Sequence, residues 1–429
     1  VRLFADTTPL RHRDFRRLWW AGIPTVIGAN LTIFAVPVQV YALTQSSAYV
    51  GLAGLFALVP LIVFGLWGGA LADAMDRRVL LIIASCGLAV SSLLLWGQAA
   101  LHLNNVWVVL SLLALQQAFY AINSPTRSAA IPRILPSDKV AAANALNITV
   151  TQFGSIVGPL MAGLMLAWVD LSTLYLIDAI TCLLPIWATF RLAAMPPVES
   201  DEGTSRWGIG AVLDGFRYLA GNTVVLMSFV VDLIAMILGM PRALFPQMAH
   251  ENFGGPPDGG TTMALLAAAM AIGAVAGGVF SGWLPRVRRQ GLAVVIAIIV
   301  WGLAIVGFGV AAGFADGHAG ALLWVAVSCL AIGGGADMVS SAFRNTILLQ
   351  AASDELRGRL QGVFIVVVAG GPRIADALHG AAAASAGTAV AAAGGGVLVV
   401  IGVVIAAVAV PAFVRYRVTV AQKGGTDKL

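Results

Sequence analysis

The chain has 429 residues, 59% of them hydrophobic and only 10% charged, with a formal net charge of +5. A soluble domain carries about 25% charged residues because its surface must meet water. So sparse a charge content, at a mean hydropathy of +0.91, excludes an ordinary water-soluble protein and leaves the bilayer as the solvent for most of the surface. The three cysteines, Cys86, Cys182 and Cys329, stand singly inside apolar runs, which argues against a disulfide framework or a metal centre.

Taken in chain order, basic residues (Arg11, Arg13, Arg16, Arg17) precede an apolar run at 18–43. That run is too long for the apolar core of a secretory signal and has no small-residue cleavage site near its end, so it reads as a first membrane span. A helix needs roughly 20 apolar residues to cross the hydrocarbon core. Runs of that kind fall at 19–43, 50–72, 79–101, 106–130, 141–168 and 171–190, and again at 223–249, 263–283, 292–314, 321–349, 360–384 and 391–414. The expected fold is an all-α membrane protein with twelve transmembrane helices in two six-helix bundles, residues 1–190 and 222–429. Between them, residues 191–221 form a polar linker that turns amphipathic, with Ile209, Val212, Leu213, Phe216 and Leu219 at helical spacing. It predicts a short helix lying on the membrane surface.

The cations follow the spans. Arginines and lysines sit before the first span and after the second (Arg77, Arg78), fourth (Arg133, Lys139), sixth (Arg191, Arg206, Arg217), eighth (Arg286, Arg288, Arg289), tenth (Arg357, Arg359) and last (Arg415, Arg417, Lys423, Lys428). The odd-numbered connections hold none, carrying His102, Asp170, His250, Glu251, Asp258, Asp316 and His318 instead. Because cytoplasmic loops carry the excess of Lys and Arg, both termini are expected in the cytoplasm, across a bacterial inner membrane. Such segregation also excludes nucleic acid as a partner: the cations serve topology.

The two halves echo each other. Residues 124–140 align with 341–356, pairing Arg127 with Arg344 and Ser137-Asp138 with Ser353-Asp354. Residues 68–78 align with 277–287, and 36–43 with 240–247, pairing Pro37 with Pro241. Ordered matches of this kind fit a six-plus-six duplication of the sort that builds transporters.

The sharpest local motif is GGALADAMDRR, residues 68–78. Gly68, Gly69 and Ala72 allow close helix approach, and Asp73 stands at the end of the second span, before Asp76, Arg77 and Arg78. A carboxylate there can pair with a cation or helix N-terminus of the other half and latch one side shut. A solvated charged turn obeying the charge rule is an equal alternative on physical grounds. The segment resembles the motif A of the major facilitator superfamily. PLRHRDFRRLWW (9–20), LTQSSAYVGL (43–52), DELRGRLQG (354–362) and AINSPTRSAAIPRILP with the following ANAL (121–136, 143–146) resemble the branch of siderophore exporters and drug-efflux proteins. QFGSIVGPLMAG (152–163) is similar to motif C of that superfamily, which is associated with exporters; physically, Gly154 and Gly158 make a smooth helix face and Pro159 loosens the helix. Ordinary small-residue packing would account for the same residues. One departure is clear: Gln116 and Gln117 stand where the drug exporters carry an arginine early in the fourth span.

Intramembrane ionisable groups are functional candidates by default. They are Asp178, Asp232, Arg242, Asp337, Arg373, Asp376 and His379. Arg373 and Asp376 are three apart and can pair on one helix face. Asp337 lies mid-span in a glycine-rich stretch and is the first choice for proton coupling, ahead of Asp232 and Asp178, with Asp376 and Arg373 as further candidates. The uncharged polar groups Asn30, Gln39, Gln116, Gln117, Asn123, Asn147 and Gln152 fall in the first, fourth and fifth spans, which in the family border a central cavity. Phe34, Phe119 and Tyr120 beside them suit an amphiphilic cargo.

The expected function is export of a small amphiphilic molecule, siderophore- or drug-like, by proton-coupled alternating access. Uptake, or lipid and lysolipid movement by the same fold, is the alternative. No HExxH, GxSxG or Walker sequence is present, so neither a membrane enzyme nor an ATP-driven pump is supported. No metal or cofactor is expected beyond the proton gradient, and the partners expected are a small-molecule substrate and membrane lipid, around a monomer.

Overall fold

A computed structural model describes residues 6–196, 221–351 and 354–417, with side chains described outside 66, 68–70, 72–73, 349–351 and 354–369. It is all helix. The long helices are α1 (Arg13–Thr44), α2 (Ser47–Ala74), α3 (Arg77–Ala100), α4 (Val106–Ile134), α5 (Ser137–Met165), α6 (Leu171–Phe190), α7 (Thr223–Gly239), α8 (Thr261–Val279), α9 (Gln290–Gly313), α10 (Ala321–Ala351), α11 (Asp354–Ala386) and α12 (Thr388–Ala409). Among the described residues, 11 helices are long and apolar enough to span a bilayer, and α11 is a further helix of 33 residues. The amphipathic stretch expected near residues 209–219 lies outside the described residues.

Local sequence explains where the helices begin. Ser46, Asp76, Asn105 and Asn222 each place a side-chain oxygen on a free backbone N–H of the first turn of α2, α3, α4 and α7. These short polar side chains satisfy donors that lipid could not. Gln45, in the left-handed region at φ 50°, ends α1 and lets the chain reverse at once into α2. The outward faces are apolar: Leu93, Leu94, Ile180, Leu303, Ile332, Ile405 and Val408 are all exposed. A soluble helix bundle would present charge there; a bilayer rewards hydrocarbon.

The helices form two contacting clusters. In the first, α1 packs on α5 and α6, α3 on α4 and α6, and α2 on α4. In the second, α9 packs on α10 and α12, α8 on α10, and α7 on α11 and α12. Between the clusters α2 lies along α11 and α5 along α8. Glycines set the α2–α11 approach: Gly51 and Gly54 rest on the backbone of Asp376 and Arg373, and Gly380 on the carbonyl of Ser47.

The two sides of the membrane differ. On the side of the odd-numbered connections one hydrophobic core runs through both clusters, joining Leu31, Phe34 and Tyr41 of α1 to Val231, Phe245, Phe253 and Met263. Polar bonds close the same side. The Tyr41 hydroxyl donates to Glu251 (2.8 Å), the Ser47 hydroxyl to the Gln247 carbonyl oxygen (2.6 Å), and the Gln247 amide to Glu251 (2.9 Å). Gly259, at φ 102°, brings the α7–α8 connection against Phe34, Val38 and Leu166. On the cation-rich side, two separate cores hold the first cluster alone: Leu18, Ala21, Leu81, Ala130 and Ala188 in one, Phe15, Ile131, Leu135 and Leu146 in the other.

Candidate functional site

A cavity of about 480 Å³ lies between the clusters. The first half supplies mainly neutral groups to its wall: Asn30, Phe34, Gln116, Gln117, Gln152 and Pro159. The second half supplies charge: Arg242, Asp337, Arg373 and Asp376, beside Met240, Phe245 and Met263. Pro241 has no N–H to continue α7, so the backbone leaves the helix at Met240 and turns through a single 3-10 turn, Arg242–Leu244. That break sets the Arg242 side chain into the wall.

Deeper in the second half stands a cluster of two acids and one cation. Asp232 of α7 forms an ion pair with Arg344 of α10, and a second guanidinium nitrogen of Arg344 lies 3.8 Å from Asp337. Asp337 and Arg344 are seven residues apart, two helical turns, so they share a face of α10. The Asp232 side chain is 3% exposed, that of Arg344 11% and that of Asp337 39%. The chain of contacts thus runs from a closed interior to the open cavity. With both acids ionised the cluster carries one net negative charge; one proton neutralises it. Within it, Arg344 also donates to the Ser341 hydroxyl at 2.9 Å, while Asp232 Oδ1 and Arg344 Nε are buried with no partner of their own, so the arrangement has room to change its pairing.

Sequence reasoning missed Arg344, which it met only as the repeat partner of Arg127. That pairing was the available signal. Arg127, too, is turned into the protein, donating to the Leu18 carbonyl of α1 at 3.3 Å, with Gly22 leaving space for its guanidinium.

The expected Arg373–Asp376 pair is present as an electrostatic interaction, but a further cation joins it. Asp376 is paired with Arg242, at 3.9 Å, across from α11 to the broken end of α7. Arg373 lies within electrostatic reach of Arg242, Asp376 and Tyr120. The helix spacing put the two residues on one face, but the break in α7 brought a competing cation that no local pattern announces. His379, one turn on, contacts the Leu238 carbonyl at 3.1 Å and holds α11 to the end of α7.

Asp178 differs from these acids. It is 1% exposed in the first half, outside the cavity wall, and accepts from Thr32 (2.7 Å), Ser92 (2.8 Å) and Gln116 (3.4 Å). All its partners are neutral. Gln39 is held by Gln98 (3.1 Å) and Tyr175 (2.8 Å), and Asn123 by Ser85 (3.0 Å). Phe119 fills the space above Gly87. Tyr120 is half exposed and Asn147 half-buried. Of the expected cavity residues, Asn30, Phe34, Gln116 and Gln152 line the wall, while Gln39, Phe119, Tyr120, Asn123 and Asn147 do not.

Gly154 and Gly158 lie against Val26 and Asn30, so α5 rests directly on α1, and a Cβ at Gly158 would strike the Asn30 side chain. Pro159, in the same motif, reaches the cavity. At the cation-rich end, the surroundings of Gly69 and the side chain of Asp73 lie outside what is described. Asp76 accepts from the N–H groups of Arg78 (2.8 Å) and Met195 (3.1 Å), Arg77 donates to the Ala129 carbonyl (3.0 Å), and Arg78 to that of Phe190 (2.8 Å). Those bonds tie together the ends of α3, α4 and α6 within the first half. Among the described residues, no three of His, Cys, Asp and Glu converge as a metal site would require.

Comparison with known proteins places this geometry. The chain matches the family model described as transmembrane secretion effector over residues 5–420. It is 28% identical over 373 residues to the enterobactin exporter EntS of Shigella boydii serotype 18, covering 86% of this chain and 85% of that one. The same figures hold for EntS of Escherichia coli O139:H28. Among solved structures it superimposes on the nucleoside transporter NupG (TM-score 0.71, 14% identity, 94% of this chain and 100% of that one). A bacterial homologue of the human lysosomal transporter Spinster, solved inward-facing and unoccupied, gives a TM-score of 0.72 at 14% identity, with 97% and 100% covered. The chain therefore belongs to the transmembrane secretion effector family of the major facilitator superfamily: it is a secondary transporter and not an enzyme, related at modest identity to the efflux branch that holds the enterobactin exporters.

Proposed function

We propose that this protein exports a small amphiphilic molecule, siderophore- or drug-like, from the cytoplasm of a bacterium by proton-coupled alternating access. The observation that carries the reading is the Asp232–Arg344–Asp337 cluster, which runs from a buried ion pair to the wall of a cavity between two helical clusters. Two acids that share one guanidinium alternate between a neutral cluster and one with a single negative charge as a proton is taken up and released, which limits the charge left in the hydrocarbon. Asp337 is the entry point, being the member that meets the cavity, and Arg344 passes the change to Asp232. The polar wall of Asn30, Gln116 and Gln152, with Phe34, Met240 and Met263, suits a cargo with both apolar and hydrogen-bonding surface.

Alternating access supplies the motion. The closed side is held by Tyr41–Glu251 and Ser47–Gln247 bonds between the halves, and must open to release cargo. The opposite side is then closed by the motif around Gly69, Asp73, Arg77 and Arg78, in its role as a latch. In this reading α11 is the twelfth span, residues 1–190 and 222–429 are the two moving bundles, and both termini are cytoplasmic, as the distribution of Lys and Arg requires. Kinship with the enterobactin exporters and the Gly154–Gly158–Pro159 motif support export over uptake. A single chain suffices, since the cavity is built within it.

Inverted membrane vesicles test the proposal. Lumen acidification should drive accumulation of enterobactin or of ethidium, and a protonophore should abolish it. Failure of both cargoes to respond to the gradient in vesicles holding folded protein would contradict the proposal.

A further inference from the structure

The second charged cluster of the cavity has an imbalance that the transport cycle does not require. Arg242 and Arg373 share one carboxylate, Asp376. The three residues line the same cavity, and among the described residues the first-half wall opposite contributes only neutral groups. The cluster therefore carries one net positive charge; the other charged group described on the wall is Asp337, which is set against Arg344, and the rest of the wall is neutral. Asp376 is 9% exposed and its Oδ1 has no partner, whereas the Arg242 side chain is 42% exposed. The carboxylate is buried and takes a backbone hydrogen bond from Ala243, but its arginine partner faces the cavity at 3.9 Å, longer than a charge-assisted hydrogen bond of about 2.8 Å. An uncompensated guanidinium away from water is costly, and an incoming anion relieves that cost.

The geometry points to an anion subsite: Arg242 and Arg373 together receive a carboxylate or phosphate group at one end of an amphiphilic cargo, while Phe34, Met240 and Met263 receive its apolar body. Two planar forks suit a bidentate oxyanion better than a compact cation or a neutral polar group. The acid–arginine cluster around Arg344 is a separate electrostatic unit: the charges acting on Asp337 are Arg344 and Asp232, and those acting on Asp376 are Arg242 and Arg373. Recognition of cargo charge and handling of the proton are thus assigned to different residues. This inference rests on the reading of the cavity as the transport site, and it narrows the cargo to acidic amphiphiles.

The test is equilibrium binding to the purified full-length protein in maltoside micelles, followed by fluorescence polarisation, with no gradient. The probes are 11-(dansylamino)undecanoate, the corresponding alkyl phosphate, and the matching trimethylammonium compound. At least one anionic probe should bind about tenfold or more tightly than the cationic one, a difference of about 1.4 kcal/mol. Arg373→Gln and Arg242→Gln should each remove that preference, and Arg373→Lys should restore part of it. Asp376→Asn, which removes the internal competitor, should tighten anion binding by several fold, and this variant guards against loss through misfolding. Equal binding of all three head groups, or unchanged or weaker anion binding in Asp376→Asn, would overturn the subsite. Phosphatidylglycerol in the micelle should not displace the probe; displacement at lipid levels matching the probe would make the occupant a lipid headgroup and overturn its assignment to cargo. Because no gradient is used, a gradient-independent transporter would sink the export proposal and leave this assay standing. Gradient-driven transport with no charge preference would sink the subsite alone.

Discussion

The two halves treat buried carboxylates in opposite ways. In the first half Asp178 is surrounded by the hydroxyls of Thr32 and Ser92 and the amide of Gln116, all neutral donors. In the second half Asp232, Asp337 and Asp376 are set against Arg344 and Arg242. A carboxylate fixed by several short hydrogen bonds is a packing element: each donor would be stranded without it. A carboxylate that shares its cation with another acid has an alternative pairing within reach, which is what a switching device needs. In the proposed reading, the kind of partner and not the mid-membrane position separates a coupling aspartate from a packing one.

Arg344→Gln should break the comparison most severely. It strands two acids, and removing one member of a buried ion cluster costs about 3–5 kcal/mol, read as a lowered melting temperature in detergent, with gradient-driven transport lost. Neutralising all three members together (Asp232→Asn, Arg344→Gln, Asp337→Asn) should recover much of that stability without recovering coupling. Asp178→Leu comes next. It leaves Thr32, Ser92 and Gln116 unsatisfied and should cost about 2–4 kcal/mol of stability, yet transport per folded molecule should keep its proton dependence. Should Asp178→Asn prove proton-independent in vesicles, the division between the halves would fail.

A smaller effect is expected at the closed side. Tyr41→Phe removes one hydrogen bond between the halves and should shift the conformational balance by about 1 kcal/mol, toward opening on that side. Spin-label distances between the α1–α2 and α7–α8 connections would report it as a larger long-distance population. Asn147→Ala should do least, within about 0.5 kcal/mol of wild type, and without effect on transport, because Asn147 does not line the cavity.

Much of the architecture was legible beforehand. Apolar runs and cation placement give the helices nearly where they stand, because a bilayer allows few other solutions. Asn30, Gln116 and Gln152 in the cavity wall were expected from the family resemblance, which implies that the first, fourth and fifth spans border a cavity; Gln39, Asn123 and Asn147 were expected there on the same ground and do not line it. The sequence was silent on tertiary pairing. Nothing local distinguishes Asp178 from Asp232, since their partners come from helices up to 146 residues away in one case and from α10 in the other. Arg344 enters the sequence reading only as the repeat partner of Arg127. The reach of its side chain back toward Asp337 makes it a site residue. Arg242 was visible as a charge, but its pairing with Asp376 depends on the break after Gly239. Pro241 hints at that break without giving its direction.

The most direct test of the Arg344 cluster as the proton-coupling device separates exchange from accumulation in proteoliposomes bearing Asp337→Asn. With cargo on both sides and no gradient, labelled cargo should exchange at a rate close to wild type; with an imposed pH gradient, uphill accumulation should be absent. Accumulation by Asp337→Asn equal to wild type, at equal amounts of folded protein, would contradict the assignment of the proton to this cluster.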